Sequence, residues 1–405
     1  MRISVLTLFP EYFSSFMQSP ITKRAMDKGN LDFETVDIKE FADGSFRAID
    51  DSPYGGGPGM ILRVDVIAKA LESVKDKDSH TILLSPRGRT FNQAKAHELK
   101  DKKHLVFICG HYEGVDERVS DLVDEEISIG DFILTGGEPA AMVICDSVIR
   151  LLKGSIRDSS TTEESFETGL LEYPQYTHPL RFLDKVVPNI LLSGNDKEIA
   201  SWRMKQAIIS TIDHRPDLFD RMPSEGIGLS GAKMLFFDDM VLKIQKESEI
   251  SNREVEAMRW LKGRLPVPGV LYHVNKDGMS YLLMTKLKGR MLCDPIILHN
   301  RNRLLKSCAV ALKMLWQVDL TDCPFLKGNK GNPDLVLSHG DFCLPNILVD
   351  NKGVTGFLDL GYCTVSSRQD DIDSCLESLD ANLVGRFSDG TETEPVDRSY
   401  FKSLL

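Results

Sequence analysis

The sequence lacks any apolar run long enough to cross a bilayer, so no membrane-spanning helix is predicted. Residues 1–10 contain a single Arg and no small-residue cleavage pattern, and we therefore expect a cytoplasmic protein. The eight cysteines include no C-x-x-C pair and no histidine spacing suited to zinc. We predict that they are reduced thiols, most of them in the core.

The chain also lacks an excess of basic residues. It carries 49 Lys and Arg against 60 Asp and Glu, which gives a formal net charge of −11 at pH 7. An acidic protein is a poor general binder of polyanions. Any nucleic-acid partner would therefore have to be recognised by local basic patches and specific pockets.

A length of 405 residues exceeds what a single hydrophobic core usually serves, so two or three domains are expected. Within residues 1–155, short apolar segments at 3–9, 81–84, 105–109 and 132–135 alternate with helical patterns at 64–74 and 140–152. This alternation predicts an α/β domain with a parallel sheet covered by helices.

Two of these apolar segments end in turns that are rich in glycine and polar residues. Residues 106–109 and 132–134 are predicted to be buried strands, and they are bounded by Gly110, Gly130, Gly136 and Gly137. Glycine lets main-chain N–H and C=O groups approach a ligand closely. We therefore predict a ligand site built mainly from loop backbone.

Four segments together resemble one family. They are CGHYEGVDERV from residue 109, SIGDFILTGGE from residue 128, YGGGPGM from residue 54 and LSPRGR from residue 84. They are similar to the TrmD-type tRNA (guanine-N1)-methyltransferases, and the resemblance extends over residues 1–219. It implies a trefoil-knotted SPOUT domain at 1–155, and a homodimer with each active site between subunits. The implied reaction is transfer of a methyl group from S-adenosylmethionine to N1 of the guanosine just 3′ of the tRNA anticodon, at position 37.

The resemblance also implies the catalytic residues. Methylation at N1 requires a base near N1 and positive charge near O6. Arg150 corresponds to the family's electrophilic arginine, and Glu164 corresponds to its carboxylate base, where the family characteristically has Asp. Glu163 and Glu167 lie close by in the sequence and are alternative bases.

The resemblance further implies which residues surround the methyl donor. Apolar side chains would sandwich the adenine, while backbone groups satisfy its edge. The implied residues are Leu84, Ser85, Pro86, Gly110, Tyr112, Glu113, Ile129, Gly130, Asp131, Phe132, Ile133, Leu134, Gly136 and Gly137. Asp50, Asp51, Tyr54 and the glycine-rich turn at 54–60 correspond to family positions near the target guanosine. His111 and Arg118 either contact RNA phosphate or lie at a solvated helix start.

The next two segments complete the resemblance. Residues 156–168 are rich in Ser, Thr and Glu, and they are predicted to form a mobile linker that carries the candidate base. Residues 169–222 resemble the family's small helical tRNA-binding domain in a shortened form, with a helix at 198–212. Arg203 and Lys205 on that helix contact tRNA phosphate or form an exposed face.

Residues 223–405 resemble the aminoglycoside 3′-phosphotransferases, which have a protein-kinase-like α+β fold. The D-x-x-x-x-N spacing of a kinase catalytic loop is present at Asp341 and Asn346. The resemblance implies that Asn346 and Asp359 bind magnesium, and that Lys243 pairs with Glu254 and with the phosphates of ATP. Gly226, Gly228 and Gly231 would form the loop over the nucleotide.

The phosphotransferase resemblance is truncated in three places. The first strand, the substrate-binding insertion between Trp316 and His339, and the terminal helices are short or missing. Two alternatives to a methyltransferase remain open. The chain could be a small-molecule kinase whose N-terminal half presents RNA or a cofactor. It could also be a non-catalytic RNA-binding protein that lost methyl transfer through the change from Asp to Glu164 and the shortened helical domain.

Overall fold

The computed structural model describes residues 1–43, 48–156, 163–224, 231–326, 335–383 and 396–405. The described chain divides into two compact units, Met1–Glu172 and Tyr173–Leu405. The finer division at residues 155, 168 and 222 stays a prediction. Much of the predicted linker, residues 157–162, lies outside the described residues.

The first unit alternates strands and helices, as its sequence pattern predicts. Its elements are β1 Arg2–Thr7, α1 Ser14–Met17, α2 Pro20–Asp27, β2 Asp32–Asp37, β3 Asp50–Asp51, β4 Ile61–Leu62, α3 Val64–Val74, β5 Ser79–Thr90, α4 Gln93–Lys100, β6 His104–Cys109, β7 Glu125–Ser128 and α5 Glu138–Ile149.

The core of the first unit is a parallel sheet with strand order β2-β1-β6-β5-β7. Every residue of β6 is buried. Leu105 and Phe107 belong to an apolar cluster on one face, and Val106 and Ile108 belong to a cluster on the other. A strand that is buried on both faces is expected to be continuously apolar. The predicted parallel sheet is therefore confirmed.

Two helices of this unit follow directly from the sequence. In α3, buried residues recur at 66, 67, 70, 71 and 74, which is the spacing of one helix face. The helix α5 begins after Gly137, with Pro139 in its first turn, where a missing N–H has no consequence. Arg150 is the C-cap residue of α5.

The predicted buried strand at 132–135 is wrong. Residues 131–135 form a loop, in which the side chains of Phe132, Ile133 and Leu134 are 54%, 81% and 39% exposed. The sheet position is occupied instead by β7, which pairs with β5. Gly130 follows β7 with φ of 148°, a conformation that side-chain-bearing residues rarely adopt, and this releases the next apolar residues from the sheet.

The second unit contains more numerous and shorter strands. Its elements are β8 Arg181–Phe182, β9 Lys185–Val186, α6 Asp196–His214, β10 Lys233–Phe236, β11 Met240–Lys246, α7 Glu249–Leu261, β12 Val270–Lys276, β13 Met279–Thr285, β14 Arg290–Met291, α8 Pro295–Leu298, α9 Arg301–Trp316, β15 Leu335–Ser338, β16 Ile347–Asp350, β17 Gly353–Phe357, β18 Thr364–Ser367, α10 Arg368–Leu383 and α11 Arg398–Leu404.

A small antiparallel sheet with strand order β10-β11-β13-β12 opens the C-terminal half. It is followed by sequence richer in helix, and one large apolar cluster connects the two parts. This arrangement agrees with the α+β fold that the phosphotransferase resemblance implies for residues 223–405. Gly226 and Gly228 lie outside the described residues, whereas Gly231 is described and has φ of 74°.

The cysteine prediction is also confirmed. All eight thiols are free, six of them are buried, and Cys293 and Cys343 are partly buried. Among the helices that the structure describes, none has the length and apolarity of a membrane span.

Candidate active site

A cavity of about 320 Å³ lies where β6 and β7 of the first unit end, and where β5 stops pairing with β6 after Leu84. Carboxyl ends of parallel strands are the usual place for a ligand site, because the loops that follow them meet there. The lining residues are Leu84, Ser85, Pro86, Gly110, His111, Tyr112, Glu113, Gly114, Ile127, Ser128, Ile129, Gly130, Phe132, Ile133, Leu134, Thr135, Gly136, Gly137 and Ala140.

The structure brings the implied cofactor residues together around this cavity, except for Asp131, which is not among the lining residues. Sequence reasoning missed several other lining residues, which lie in the same loops, on β7 and on α5, namely His111, Gly114, Ile127, Ser128, Thr135 and Ala140. The apolar residues of loop 131–135, which the sequence placed in a strand, form part of the wall instead.

Glycine is required where the loops meet. A Cβ atom on Gly137 would lie 2.8 Å from Cα of Cys109, and a Cβ atom on Gly136 would lie 2.5 Å from Nδ1 of His111. The backbone N–H of Gly137 donates to the carbonyl of Gly110 over 2.8 Å. One wall of the cavity is therefore main chain in close contact, as the sequence predicts.

A buried carboxylate lies beside this wall. Glu138 is only 2% exposed and accepts a hydrogen bond from Thr7 Oγ1 over 2.7 Å. Its other oxygen lies 4.0 Å from Nδ1 of His111, which lines the cavity. Burial raises the pKa of the neighbouring Cys109 thiol well above its ordinary value, so this cysteine is not an activated nucleophile.

Arg150 and Glu164 form a bidentate ion pair. Arg150 Nη1 donates to Glu164 Oε2 over 2.7 Å, and Nη2 donates to Oε1 over 2.5 Å. The hydrogen bonds that Arg150 donates to Glu164 raise the pKa of Arg150 above its ordinary value. The two residues that the resemblance implies as electrophile and base are therefore in direct contact.

Glu167 is held in a different place. Gln93 Nε2 donates to it over 2.7 Å, and His97 Nε2 lies 3.0 Å from each of its carboxylate oxygens. Burial would raise the pKa of Glu167, but the hydrogen bonds from His97 and Gln93 outweigh it and lower the pKa. Glu167 thus anchors the segment that carries Glu164 to α4, and this argues against Glu167 as the base.

We expect Glu167→Ala to lower kcat by about tenfold, because a base displaced by a fraction of an ångström loses its alignment. Glu167→Gln keeps an acceptor for Gln93 and should recover most of the rate. KM for the methyl donor should stay unchanged in both variants. Steady-state methyl transfer measures these values, with Glu98→Ala on α4 as the control. Full kcat in Glu167→Ala would show that the anchor has no catalytic role.

The ion pair and the cavity lie at opposite ends of α5. Gly137 and Ala140, at the start of the helix, line the cavity, whereas Arg150 caps its far end. A helix of 12 residues is about 18 Å long. Within one chain, the ion pair is therefore far from a ligand in the cavity.

In the C-terminal half, the side chains that the resemblance implies for ATP and magnesium lie next to one another. Lys243 on β11 donates to Glu254 on α7 over 2.8 Å and to Asp359 Oδ1 over 2.8 Å. Burial would lower the pKa of Lys243, but the two carboxylates outweigh it and raise the pKa. Burial likewise raises the pKa of Glu254.

Asp341 and Asn346 lie together in the loop between β15 and β16. Asn346 Nδ2 donates to the Asp341 carbonyl over 3.1 Å and to its Oδ2 over 3.3 Å. The N–H of Leu358, next to Asp359, donates to the carbonyl of Asn346 over 2.8 Å. In the part of the chain that the structure describes, no group of three His, Cys, Asp or Glu side chains is arranged to bind a metal ion.

A family model described as tRNA (Guanine-1)-methyltransferase TrmD matches residues 1–221. The chain belongs to the TrmD family. A tRNA (guanine-N(1)-)-methyltransferase of Carboxydothermus hydrogenoformans is 54% identical over 220 residues, which are 54% of this chain and 87% of that protein. The enzyme of the same name from Dictyoglomus turgidum is 50% identical over 222 residues, which are 55% of this chain and 91% of that protein.

Membership in the TrmD family confirms the resemblance drawn from the glycine-rich segments and the predicted enzyme class. A second family model, described as phosphotransferase enzyme family, matches residues 329–398. This match confirms the resemblance of the C-terminal half to a phosphotransferase, over the part that contains Asp341, Asn346 and Asp359.

The residues that the TrmD resemblance implies for contact with RNA or with the target guanosine differ in their surroundings. Arg118 is paired with Asp116, with distances of 2.9 and 2.7 Å, so its charge is already compensated. Tyr54 is fully exposed. The turn that follows it approaches the cavity, since a Cβ atom on Gly59 would lie 2.3 Å from Cγ of Glu113.

The helix α6 carries the residues implied for tRNA. The Arg203 guanidinium lies 4.8 Å from the ring centre of Tyr173, which is a cation–π distance. Lys205 is partly buried. The prediction that Arg203 and Lys205 contact phosphate stays open, and the stacked Arg203 favours a structural role for that side chain.

Proposed function

We propose that this chain methylates N1 of the guanosine at tRNA position 37, with S-adenosylmethionine as methyl donor. The observation that carries the proposal is the cavity at the ends of β6 and β7, which gathers the implied cofactor residues around a glycine-built wall. Relatives named tRNA (guanine-N(1)-)-methyltransferase support the choice of tRNA and of guanine N1.

The cavity fits the methyl donor in size and chemistry. Its volume of about 320 Å³ is within the range of small-molecule sites. Leu84, Ile129 and Leu134 offer apolar contact to an adenine ring, and the loops of Gly110 and Gly136 offer backbone polar groups. Bound there, S-adenosylmethionine would supply an electrophilic methyl group on a sulfonium centre.

The ion pair fits the guanine edge. Guanine presents the acceptor O6 beside the donor N1–H, so Arg150 can donate to O6 while Glu164 accepts the N1 proton. Glu164 is one methylene longer than the Asp typical of the family. The anchor that Gln93 and His97 provide at Glu167 fixes the segment from which Glu164 extends.

The length of α5 supports a homodimer. Reacting atoms must come within about 3–3.5 Å, whereas the cavity and the ion pair of the same chain lie at opposite ends of α5, a helix about 18 Å long. We propose that Arg150 and Glu164 of one subunit act on a guanine at the other subunit's cavity. The trefoil knot, a tRNA-binding domain at 169–222 and a cytoplasmic location complete the proposal.

Two transcripts of one tRNA test the proposal, one with guanosine at position 37 and one with adenosine there. With labelled S-adenosylmethionine, label is expected in the first transcript only. Equal labelling of both would contradict the proposed target. Absence of label in either, together with tight tRNA binding, would support the alternative of a non-catalytic RNA-binding protein.

For the C-terminal half we propose binding of ATP with magnesium. The assembly of Lys243, Glu254 and Asp359 supports this second function. Asp359, together with Asn346, would hold the metal ion between the phosphates, while Lys243 would pair with the phosphates. A bound phosphate supplies further oxygen ligands, so two protein ligands suffice.

Asp359→Ala is expected to weaken magnesium-dependent ATP binding by at least about tenfold, because it removes a metal ligand. Asp350→Ala is the matched control, since Asp350 is exposed at the end of β16, where it accepts from the N–H of Lys352 in the turn. Equilibrium binding of a fluorescent ATP analogue, with and without magnesium, gives both values. Unchanged affinity in Asp359→Ala would refute the role assigned to this residue.

A further inference from the structure

The β10–β13 sheet has two faces with different partners. Residues directly opposite in an antiparallel ladder project to the same face, and consecutive residues alternate. Lys233 is opposite Ile244, Ile244 is opposite Tyr281, and Tyr281 is opposite Val274, so these residues share one face. Lys243 precedes Ile244 and projects to the other face, where it meets Glu254 and Asp359.

The face that carries Ile244 is covered by the end of the TrmD-matched region. Tyr272 and Lys276 flank Val274 at two-residue spacing and belong to this face. Tyr272 donates from its hydroxyl to Asp213 at the end of α6 over 2.6 Å. Lys276 Nζ donates to the carbonyls of Ile212 and Asp213, the second at the shorter distance.

Contacts continue along the turn that follows α6. The ring centres of Tyr281 and Phe219 are 6.4 Å apart, and Phe219 is only 1% exposed. Lys233 Nζ donates to the carbonyl of Phe219 over 2.5 Å. In the first half of α6, Ser201 donates from its hydroxyl to Asp239 Oδ2 over 2.6 Å. The sheet and its β10–β11 turn therefore contact α6 at two points, Ser201 and the C-terminal end, and the sheet also contacts the turn after α6 at Phe219.

These contacts suit a permanent support. Lys276 donates hydrogen bonds to carbonyl groups that the C-terminus of a helix leaves without partners. Its positive charge is also favourable at that end of the helix dipole. Burial, together with the hydrogen bond to Asp213, raises the pKa of Tyr272 to about 12, so the hydroxyl stays a donor throughout the physiological range. Ile208 and Ile212 on α6 are fully buried.

We infer that this face of the phosphotransferase-like sheet is the structural support of α6, and that tRNA affinity depends on it. The family match ends at residue 221, and the matched segments of the two relatives above cover 87% and 91% of those proteins. The inference rests on the proposed function, in which α6 belongs to the tRNA-binding part.

The test uses the full chain with Tyr272→Phe and with the double variant Tyr272→Phe/Lys276→Ala. In the double variant, amide hydrogen exchange of residues 196–214 should be about tenfold faster, because hydrogen bonds to a charged carboxylate and to helix-end carbonyls are lost. The Kd for tRNA should rise about tenfold, while the Kd for S-adenosylmethionine stays within about twofold. Tyr272→Phe alone should change both quantities in the same direction by a smaller factor.

Asn275→Ala is the matched control, since Asn275 lies on the same strand but bonds to Glu247 and Asn252. Wild-type exchange in α6 together with wild-type tRNA affinity in the double variant would overturn the inference. An equal loss of cofactor affinity would also overturn it, because this would indicate general destabilisation. A wild-type chain that transfers no methyl group would instead contradict the proposed function, and the exchange measurement would still report on the support.

Discussion

Glu164→Gln should lower kcat for methyl transfer by about a hundredfold or more, since a positioned general base typically contributes 10²–10⁴-fold. Glutamine preserves the size of the side chain and can still accept a hydrogen bond from Arg150, but it cannot take the N1 proton. KM for the methyl donor should change little, because Glu164 does not line the cavity. Single-turnover transfer to a tRNA transcript measures the chemical step directly.

Glu163→Gln is the matched comparison for this experiment, because it makes the same chemical change one residue away. It should retain most of the rate. If Glu163→Gln loses the rate while Glu164→Gln keeps it, the base is Glu163. Arg150→Ala should also lose at least about tenfold, because it leaves the charge that develops on O6 without its partner.

Mixing two inactive variants should restore activity. The Glu164→Gln variant lacks the base but has an intact cavity. The Leu134→Arg variant keeps Glu164 as its base, but a long cationic side chain lies in the wall of its cavity of about 320 Å³. If each active site combines the cavity of one subunit with the ion pair of the other, a mixed dimer has one complete site. Random exchange of subunits in an equal mixture then gives about a quarter of wild-type activity.

This second prediction depends on the geometry of α5, whose two ends carry the cavity and the ion pair. Calorimetry should first establish that Leu134→Arg does not bind S-adenosylmethionine and that Glu164→Gln does. A mixture of Glu164→Gln with Arg150→Ala is the control, because both changes remove the same half of the site and no mixed dimer is complete. No recovery in the first mixture, with exchange of subunits verified by mass, would place the whole site within one chain.

The sequence predicted those helices and strands that have a characteristic spacing of apolar residues within one short segment. The apolar spacing of Val64–Val74 matches α3, and the apolar run at 105–109 lies in the buried strand β6. The short apolar run at 132–135 misled the prediction, because such a run has the same composition in a buried strand and in a cavity wall. Only the pairing of β7 with β5 decides between them.

Long-range contacts had no local signal. Thr7 bonds to Glu138 across 131 positions of sequence, and Gln93 bonds to Glu167 across 74. The resemblance to the TrmD family supplied Arg150 and Glu164, yet it could not supply the anchor at Glu167 or the contact of Tyr272 with Asp213. Such contacts arise from tertiary packing between segments that are far apart in the sequence.

Mass spectrometry of nucleosides from a tRNA transcript treated with this chain and S-adenosylmethionine tests the central claim most directly. The account predicts one new nucleoside, 1-methylguanosine, located at position 37 by sequencing of the digested RNA. A methyl group on another atom of guanine, or at another position of the tRNA, would contradict the assignment of Arg150 and Glu164 to the N1 and O6 edge.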